Sequence, residues 1–220
     1  MRTFRTLKTL RTLVTKEIIA YLASRNGRTY NGGITMYTSE EVLEKLQTGN
    51  AAYVASGAFG GNISSVRRKE LSDKGQSPMA VVIACADSRV VPEVIFSCGL
   101  GDLFTIRIAG NVMDAHQMGS VEYAVAHLKT PLVVVLGHTH CGAVAAALHG
   151  EADGHIKYIT DSIQKAIGKE TNEYQACVLN VKAAVQEIHD AFSHESDPLL
   201  QHEQVVGAVY DIETGRVSFL

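Results

Sequence analysis

Four continuous apolar runs, rich in β-branched residues, recur along the chain, and stretches with helical spacing lie between them. Strands that lack polar alternation are buried on both faces, which implies a parallel sheet covered by helices. The runs therefore predict an α/β fold with a mostly parallel β-sheet flanked by helices. They read AVVIAC at 80–85, LFTIRI at 103–108, PLVVVLGH at 131–138 and QVVGAVYD at 204–211.

The helical stretches place their apolar residues on one face. In MGSVEYAVAHLK, apolar residues from Val121 to Leu128 recur at the spacing of a helix, and longer helices are predicted near 157–169 and 174–193. The last segment, VYDIETGRVSFL, predicts a hairpin around Thr214 and Gly215. This hairpin would add an antiparallel C-terminal edge strand to the sheet.

Size and charge limit the class of protein. A chain of 220 residues with 46% hydrophobic and 20% charged residues has the composition of a single globular domain with a sizeable core. Its net charge of −3 gives no reason to expect nucleic-acid binding. No apolar stretch approaches the ~20 residues that cross a bilayer. We therefore expect a soluble protein that binds neither nucleic acid nor membrane.

The cysteines indicate a reducing compartment. Cys85, Cys98, Cys141 and Cys177 are irregularly spaced, and no CxxC pair is present. A reducing compartment predicts a cytoplasmic location. In such a compartment clustered thiols are more often metal ligands or catalytic groups than crosslinks. Cys98 and Cys177 belong to no motif and are expected to pack as small apolar side chains.

Residues 1–35 differ in composition from the rest of the chain. MRTFRTLKTLRTLVTK repeats a basic-Thr-apolar triplet without an acidic residue before Glu17, which is typical of organelle transit peptides. Three interpretations stay open: an arm that packs on a partner subunit, a segment that targets an organelle, or an extension with little role. The domain itself is predicted at 36–220, where Thr38 and Glu41 have the spacing of a capping box.

The first strand ends in three reactive side chains. In ACADSR at 84–89, Cys85, Asp87 and Arg89 occupy alternate positions, which share a face in an extended chain. Ligands of open parallel α/β sheets bind beyond the carboxyl ends of the strands. These residues are therefore candidates for one pocket, although Asp87 and Arg89 alone are also compatible with a structural ion pair.

A later strand ends in GHTHCG at 137–142, which carries His138 and Cys141. Two intervening residues let both side chains approach one metal, and Cys85 from the neighbouring strand would be the third ligand. Two thiolates and an imidazole suit zinc, and three protein ligands leave the open position of a catalytic site. Helix N-terminal amides are expected to lower the pKa of Cys141. The alternative is two buried cysteines and a core histidine.

Together these motifs resemble those of the β-class carbonic anhydrases. CADSRVVPE, FTIRIAGN and EYAVAHL…GHTHCGAV stand in the order of that family, and the resemblance extends from LQTGNAAYV at 46–54 to GAVYDIETGRVSF near the C-terminus. It implies an enzyme, a zinc lyase that interconverts carbon dioxide and bicarbonate. It also implies that Zn²⁺ is held by Cys85, His138 and Cys141.

The resemblance implies catalytic roles for Asp87 and Arg89. In a bidentate pair with Arg89, Asp87 would accept a hydrogen bond from zinc-bound hydroxide and so orient it towards carbon dioxide. Without that pair, Asp87 could become a fourth zinc ligand and close the site.

A substrate pocket is also implied. In the plant-like branch of the family a Gln, a Phe and a Tyr line it, and alignment on the motifs puts Gln76, Phe104 and Tyr123 at those positions. Agreement at all three favours that branch, whose fourth zinc position is commonly open. By themselves, Phe104 and Tyr123 look like core residues and Gln76 like a loop residue.

Two positions depart from the family pattern. Ile108 stands where many relatives have Asn, so a polar contact there is in doubt. His140 stands where small or polar residues are more usual, and we expect a side chain beside the site or at the surface rather than a proton shuttle. His189 lies in a polar stretch and is predicted to be solvated.

The resemblance also has implications for assembly. Family members are built on dimers whose pocket is completed across the interface, so a homodimer or higher homo-oligomer is implied.

Relatives with the same zinc site hydrolyse carbonyl sulfide or carbon disulfide, and altered access to the pocket would favour that activity here. A zinc-binding protein without turnover is the third possibility, although it would not need the Asp87–Arg89 pair.

Overall fold

A computed structural model describes residues 37–57, 59–150, 153–193 and 205–220 of the chain. Residues 1–35 lie outside this range, so their three interpretations stay predictions, as does the proposed domain from 36 to 220. Among the described helices, none is both long and apolar enough to span a membrane.

Helices and strands alternate along the described chain, as the apolar runs predict. The helices are Ser39–Ser56 (α1), Ser65–Lys74 (α2), Pro92–Ile95 (α3), Ala115–Glu122 (α4), Gly142–His149 (α5), Ile156–Ile167 (α6) and Glu173–Phe192 (α7), and the strands are Ala80–Ala84 (β1), Leu103–Arg107 (β2), Val133–His138 (β3), Val205–Tyr210 (β4) and Val217–Phe219 (β5).

The strands form one sheet in the order β2-β1-β3-β4-β5. The first four are mutually parallel, and β5 runs antiparallel to β4 at the edge. The turn between β4 and β5 contains Gly215 with φ +76°, a left-handed conformation that glycine adopts without steric cost. The predicted fold class is confirmed, including the antiparallel C-terminal strand.

Strand β1 is buried on both faces, because helices cover both sides of the sheet. Val82 and Ala84 pack with residues of α1 on one face, whereas Val81 and Ile83 pack with residues of α7 on the other. Each residue of β1 is therefore apolar, and the first polar chemistry begins where the strand ends.

Helix α7 lies unusually close to the sheet. A Cβ atom at Gly137 of β3 would lie 2.5 Å from Val181, and one at Gly207 of β4 would lie 2.8 Å from the same side chain. A larger residue at either position would push the helix outward. These two glycines thus bring the side chains of α7 next to the carboxyl end of β3.

The predicted helix in MGSVEYAVAHLK forms, but it changes pitch. After α4 the chain continues as a π-helical turn over Tyr123–His127, in which the N–H of Leu128 donates to the carbonyl of Tyr123 at 3.3 Å. Val121 and Val125 are fully buried. Single π-turns are rare and occur frequently at functional sites.

Two local predictions have different outcomes. The capping box of α1 is present, with the Thr38 hydroxyl accepting from the Glu41 N–H and the Glu41 carboxylate accepting from the Thr38 N–H. The prediction of a solvated His189 is wrong, because this residue is only 8% exposed. It lies on the long helix α7, next to Ile188, which packs with residues of the sheet.

Candidate metal centre

Three potential metal ligands converge at the carboxyl ends of β1 and β3. The two strands are neighbours, with Ala84 of β1 level with Leu136 of β3. Cys85 follows β1 directly, His138 ends β3, and Cys141 precedes α5. Their donor atoms lie within 4.8 Å of one another, and all three residues are buried. Parallel pairing thus joins two motifs that lie about fifty residues apart in the sequence.

The imidazole of His138 has one nitrogen available for a metal. Its Nδ1 lies 2.8 Å from the carbonyl oxygen of Thr139, and because a carbonyl only accepts, Nδ1 carries the proton. The other nitrogen, Nε2, is buried and has no hydrogen-bond partner among the described residues. A metal-ligating histidine typically has this arrangement, and the donor set of two cysteines and one histidine fits zinc.

The sulfur of Cys85 lies in a polar surrounding. It accepts hydrogen bonds from the backbone N–H of Asp87 at 3.4 Å and of Gly110 at 3.3 Å. The neighbouring Cys141 side chain is the largest cause that lowers the pKa of Cys85, while burial opposes the shift. Donors to sulfur favour the thiolate, the form that binds metal.

The pKa of Cys141 differs from the expectation. The backbone N–H groups of Ala143 and Val144 at the start of α5 do lower it, as predicted. However, the neighbouring Cys85 side chain, together with burial, raises the pKa of Cys141 by more.

Asp87 and Arg89 form a bidentate ion pair beside these ligands. Nε of Arg89 donates to Oδ1 of Asp87 at 3.0 Å, and Nη2 donates to Oδ2 at 2.7 Å. The backbone N–H of Arg89 also donates to Oδ1, at 2.9 Å. The side chain of Arg89 is the largest cause that holds the pKa of Asp87 well below its usual range, so this carboxylate is ionised at neutral pH.

The same guanidinium connects the two strand ends. Nη2 of Arg89 also donates to the carbonyl oxygen of His140 at 3.0 Å, in the turn between His138 and Cys141. His140 itself has φ +55°, and its side chain points largely into solvent, 3.8 Å from a carboxylate oxygen of Glu173. It thus contributes its backbone to the site, in agreement with a side chain near the surface.

Arg107, at the end of β2, is a site residue that the motifs did not single out. Its Nε donates to the carbonyl oxygen of Cys85 at 3.2 Å, and its Nη2 donates to that of Asp87 at 2.6 Å. Arg107 therefore holds the backbone of the segment that carries both residues. The available signal was a cation at the end of a strand that pairs with β1.

Ile108 follows Arg107 and is the position at which the resemblance implies a polar residue. Its backbone exchanges hydrogen bonds with Ala84 and Ala86, which continues the pairing of β1 and β2 past the strand ends. Its side chain packs against the apolar cluster that contains Cys85 and Cys141. At this position the side chain therefore makes an apolar contact beside two of the candidate ligands.

The predicted pocket residues are only partly brought together. The rings of Phe104 and Tyr123 lie 6.2 Å apart, and Tyr123 is 46% exposed. Phe104 is level with Val81 of β1, which places it about 13 Å along the strand from Cys85 at 3.3 Å per residue. Gln76 lies in the exposed segment before β1, beyond the opposite end of that strand from Cys85.

Comparisons with known proteins agree with these observations. The sequence profile of the carbonic anhydrase family matches residues 80–217. A carbonic anhydrase of Mycolicibacterium smegmatis is 38% identical over 186 residues, which cover 79% of this chain and 89% of that protein. Carbonic anhydrase 2 of Mycobacterium tuberculosis is 47% identical over 122 residues, which cover 54% of this chain and 58% of that protein.

Solved structures show the same architecture. A β-carbonic anhydrase of Coccomyxa, in complex with acetazolamide, has a TM-score of 0.57 and 25% identity, and the match covers 86% of this chain and 87% of that chain. One of two tetrameric β-carbonic anhydrases of Sordaria macrospora has the same TM-score and identity, and the match covers 82% of this chain and 97% of that chain.

Proposed function

Because the chain belongs to the β class of the carbonic anhydrase family, we propose that it catalyses the reversible hydration of carbon dioxide to bicarbonate and a proton at the site between β1 and β3. The observation that carries this proposal is the buried Cys85–His138–Cys141 group next to a carboxylate that Arg89 holds in a bidentate pair. A passive zinc site would not need that ion pair.

Cys85, His138 and Cys141 would hold the zinc ion. The free Nε2 of His138 and the hydrogen bonds to the Cys85 sulfur support this assignment. Bound zinc would supply a Lewis acid that makes water a nucleophile near neutral pH. Three protein ligands leave a position for that water, whereas a fourth would close the site.

Asp87 is the proposed acceptor that orients the nucleophile. Its Oδ1 receives two hydrogen bonds from Arg89 and its Oδ2 receives one. A carboxylate oxygen accepts two hydrogen bonds, so Oδ2 keeps one lone pair for a proton of the attacking water. A lone pair of the water oxygen would then be directed at carbon dioxide.

Arg89 has two proposed functions. Its fork fixes the carboxylate of Asp87 in one plane and keeps it ionised, so that Asp87 accepts hydrogen bonds at working pH. The hydrogen bond from Arg89 to the carbonyl of His140 connects the Asp87 carboxylate to the turn between His138 and Cys141. In this pairing Asp87 is engaged by Arg89, which supports an open fourth position.

The substrate pocket is proposed to need a second copy of the chain. Phe104 and Tyr123 form an aromatic pair at the outer strand β2, at a distance from Cys85 of the same chain. A homo-oligomer would let this pair, together with Gln76, approach the metal centre of a partner. The tetrameric state of the Sordaria macrospora relatives supports such an assembly.

The test is stopped-flow hydration of carbon dioxide by protein of measured zinc content, from about pH 6.5 to about pH 9, the range in which open and closed sites would differ. We expect hydration near neutral pH with about one zinc per chain. Asp87→Asn should lower the rate by about 100-fold or more and leave the zinc content unchanged. Asp73→Asn is the matched control, since Asp73 forms an exposed ion pair on α2.

Other results would have different consequences. Hydration that begins only at alkaline pH would place Asp87 on the zinc at rest. Full zinc occupancy without hydration at any pH would contradict the proposal, and hydrolysis of carbonyl sulfide and carbon disulfide would then be measured. Zinc binding without any of these activities would leave a zinc-binding protein.

A further inference from the structure

Helix α7 contributes a buried polar side chain to the region behind the metal centre. Asn180 is only 4% exposed, and its Nδ2 donates to the carbonyl oxygen of Gly110 at 2.8 Å. The two residues are 70 positions apart in the sequence, so the contact depends on the close approach of α7 to the sheet. A buried amide at this point needs a partner, and Gly110 supplies it.

Gly110 is held in one conformation from several sides. Its φ of +67° is left-handed, and a Cβ atom at this position would lie 2.7 Å from Ile163 Cδ1 and 3.1 Å from Ala143 Cβ. A side chain here would be strained by the left-handed backbone and would crowd Ile163 of α6 and Ala143 of α5. Asn180 then fixes the carbonyl side of the same residue.

The backbone N–H of Gly110 points at the metal centre, since it donates to the sulfur of Cys85 at 3.3 Å. Gly110 is thus bonded on one side to a helix residue and on the other to a metal ligand. A shift of Gly110 would lengthen the bond to the sulfur, because the hydrogen-bonded N–H and C=O belong to the same residue.

We infer that Asn180 is a positioning residue of the metal centre: through Gly110 it holds the N–H that stabilises the Cys85 thiolate. This inference rests on the proposed function, in which Cys85 is a zinc ligand. Partners that orient metal ligands typically contribute 10–100-fold to metal affinity. Asn180 acts at a distance from the substrate and is not a catalytic residue.

Asn50 offers a matched comparison within the same chain. It is also a buried asparagine on a helix, 6% exposed. Its Nδ2 donates to the carbonyl oxygens of Ile95 and Gly215, and its Oδ1 accepts from the N–H of Val217. Its loss leaves buried backbone groups unpaired, as loss of Asn180 does, but none of its three partners bonds to a metal ligand.

The experiment compares Asn180→Ala with Asn50→Ala. The zinc dissociation constant of each full-length variant is measured by competition with a chelating dye, and folding is checked by the thermal midpoint. We expect about a tenfold weaker affinity for Asn180→Ala. Asn50→Ala should stay within about twofold of the wild type, since sites without shared partners act independently. Asn180→Leu, which fills the space but cannot donate, should resemble Asn180→Ala and replaces it if that variant does not fold.

A spectrum of the cobalt-substituted protein separates positioning from general destabilisation. Loss of a hydrogen bond to sulfur raises the energy of the sulfur lone pair, so the thiolate-to-cobalt band should move to lower energy in the Asn180 variants only. Equal zinc affinity and an unchanged band in those variants would overturn this inference while the proposed function stands. A wild-type chain that binds no zinc would overturn both.

Discussion

The two ends of strand β1 differ in how completely a single chain builds them. At the carboxyl end, Cys85 is 5% exposed, and the segment Cys85–Asp87 accepts hydrogen bonds from Arg107 and Gly110. Arg89 connects Asp87 to the turn at His140. At the amino end, the proposed pocket residues Gln76 and Tyr123 are exposed.

The two ends of β1 thus have different proposed functions. The carboxyl end would bind the metal, and the amino end would receive the substrate. The ligands and the Asp87–Arg89 pair are fixed by bonds inside one chain, so metal binding should not depend on assembly. Phe104 of the aromatic pair lies on the outer strand β2, and Tyr123 lies in the π-helical turn after α4, so turnover should depend on what lies against that edge. Substitutions at the two ends should therefore have separable effects on three quantities: the zinc affinity, the rate of hydration, and the dependence of that rate on protein concentration.

The largest effect is expected at the carboxyl end, for Arg89→Lys. Lysine keeps the charge but loses the planar fork that holds Asp87, so hydration should fall by about 100-fold or more. The zinc content should not change. Stopped-flow rates per bound zinc measure this effect.

Arg67→Lys provides the control for Arg89→Lys. Arg67 also makes several contacts with its guanidinium, to Glu70, to Asp102 and to the carbonyl of Leu100, but these lie on the α2 side of the molecule. Its variant should hydrate carbon dioxide at the wild-type rate. A rate for Arg89→Lys close to that of the wild type would refute the role of the bidentate pair.

A smaller effect is expected for Arg107→Ala, which removes the two bonds to the carbonyl oxygens of Cys85 and Asp87. The backbone that carries both residues would gain freedom, and kcat/KM should fall by about tenfold. Arg107→Lys should recover part of the loss, because one donor is retained. If Arg107→Ala lowers hydration no more than Arg68→Ala, an exposed arginine on α2, then Arg107 does not position the site.

At the amino end, Phe104→Ala should lower kcat/KM by no more than about tenfold, the size of a modest change in an apolar pocket. Zinc affinity should stay unchanged, since Phe104 contacts none of the metal ligands. Val66→Ala, at an exposed apolar residue of α2, is the control. Weaker zinc binding in Phe104→Ala would contradict the separation of the two ends.

Dilution of the wild-type protein tests the same separation without a mutation. If a second copy completes the pocket, hydration per chain should fall as the oligomer dissociates, while bound zinc stays constant. Sedimentation velocity at the same concentrations reports the assembly state. Constant hydration in the dissociated chain would show that one chain builds the whole site.

The smallest effect is expected far from both ends, for Thr38→Ala. Loss of the capping hydroxyl of α1 should lower the free energy of unfolding by about 1 kcal/mol, as measured by chemical denaturation. Hydration per folded chain should not change. Thr38→Ser retains the hydroxyl and should have nearly wild-type stability.

The sequence predicted the fold class and a candidate metal site because both depend on local patterns of residues. Continuous apolar runs indicated strands buried on two faces, and the spacing of Cys85, Asp87 and Arg89 put three side chains at one strand end. His138 and Cys141 lie within one turn. The resemblance to a known family then supplied roles for these residues that spacing alone left open.

Only the tertiary structure decided which residues support the site. Arg107 reaches Cys85 across the register of two strands, and Asn180 reaches Gly110 across 70 residues through the packing of α7. The opposite directions of the pKa shifts of Cys85 and Cys141 also depended on the closeness of the two side chains. Hydrogen bonds between distant segments depend on register and on the closeness of packing, which no local pattern in the sequence specifies.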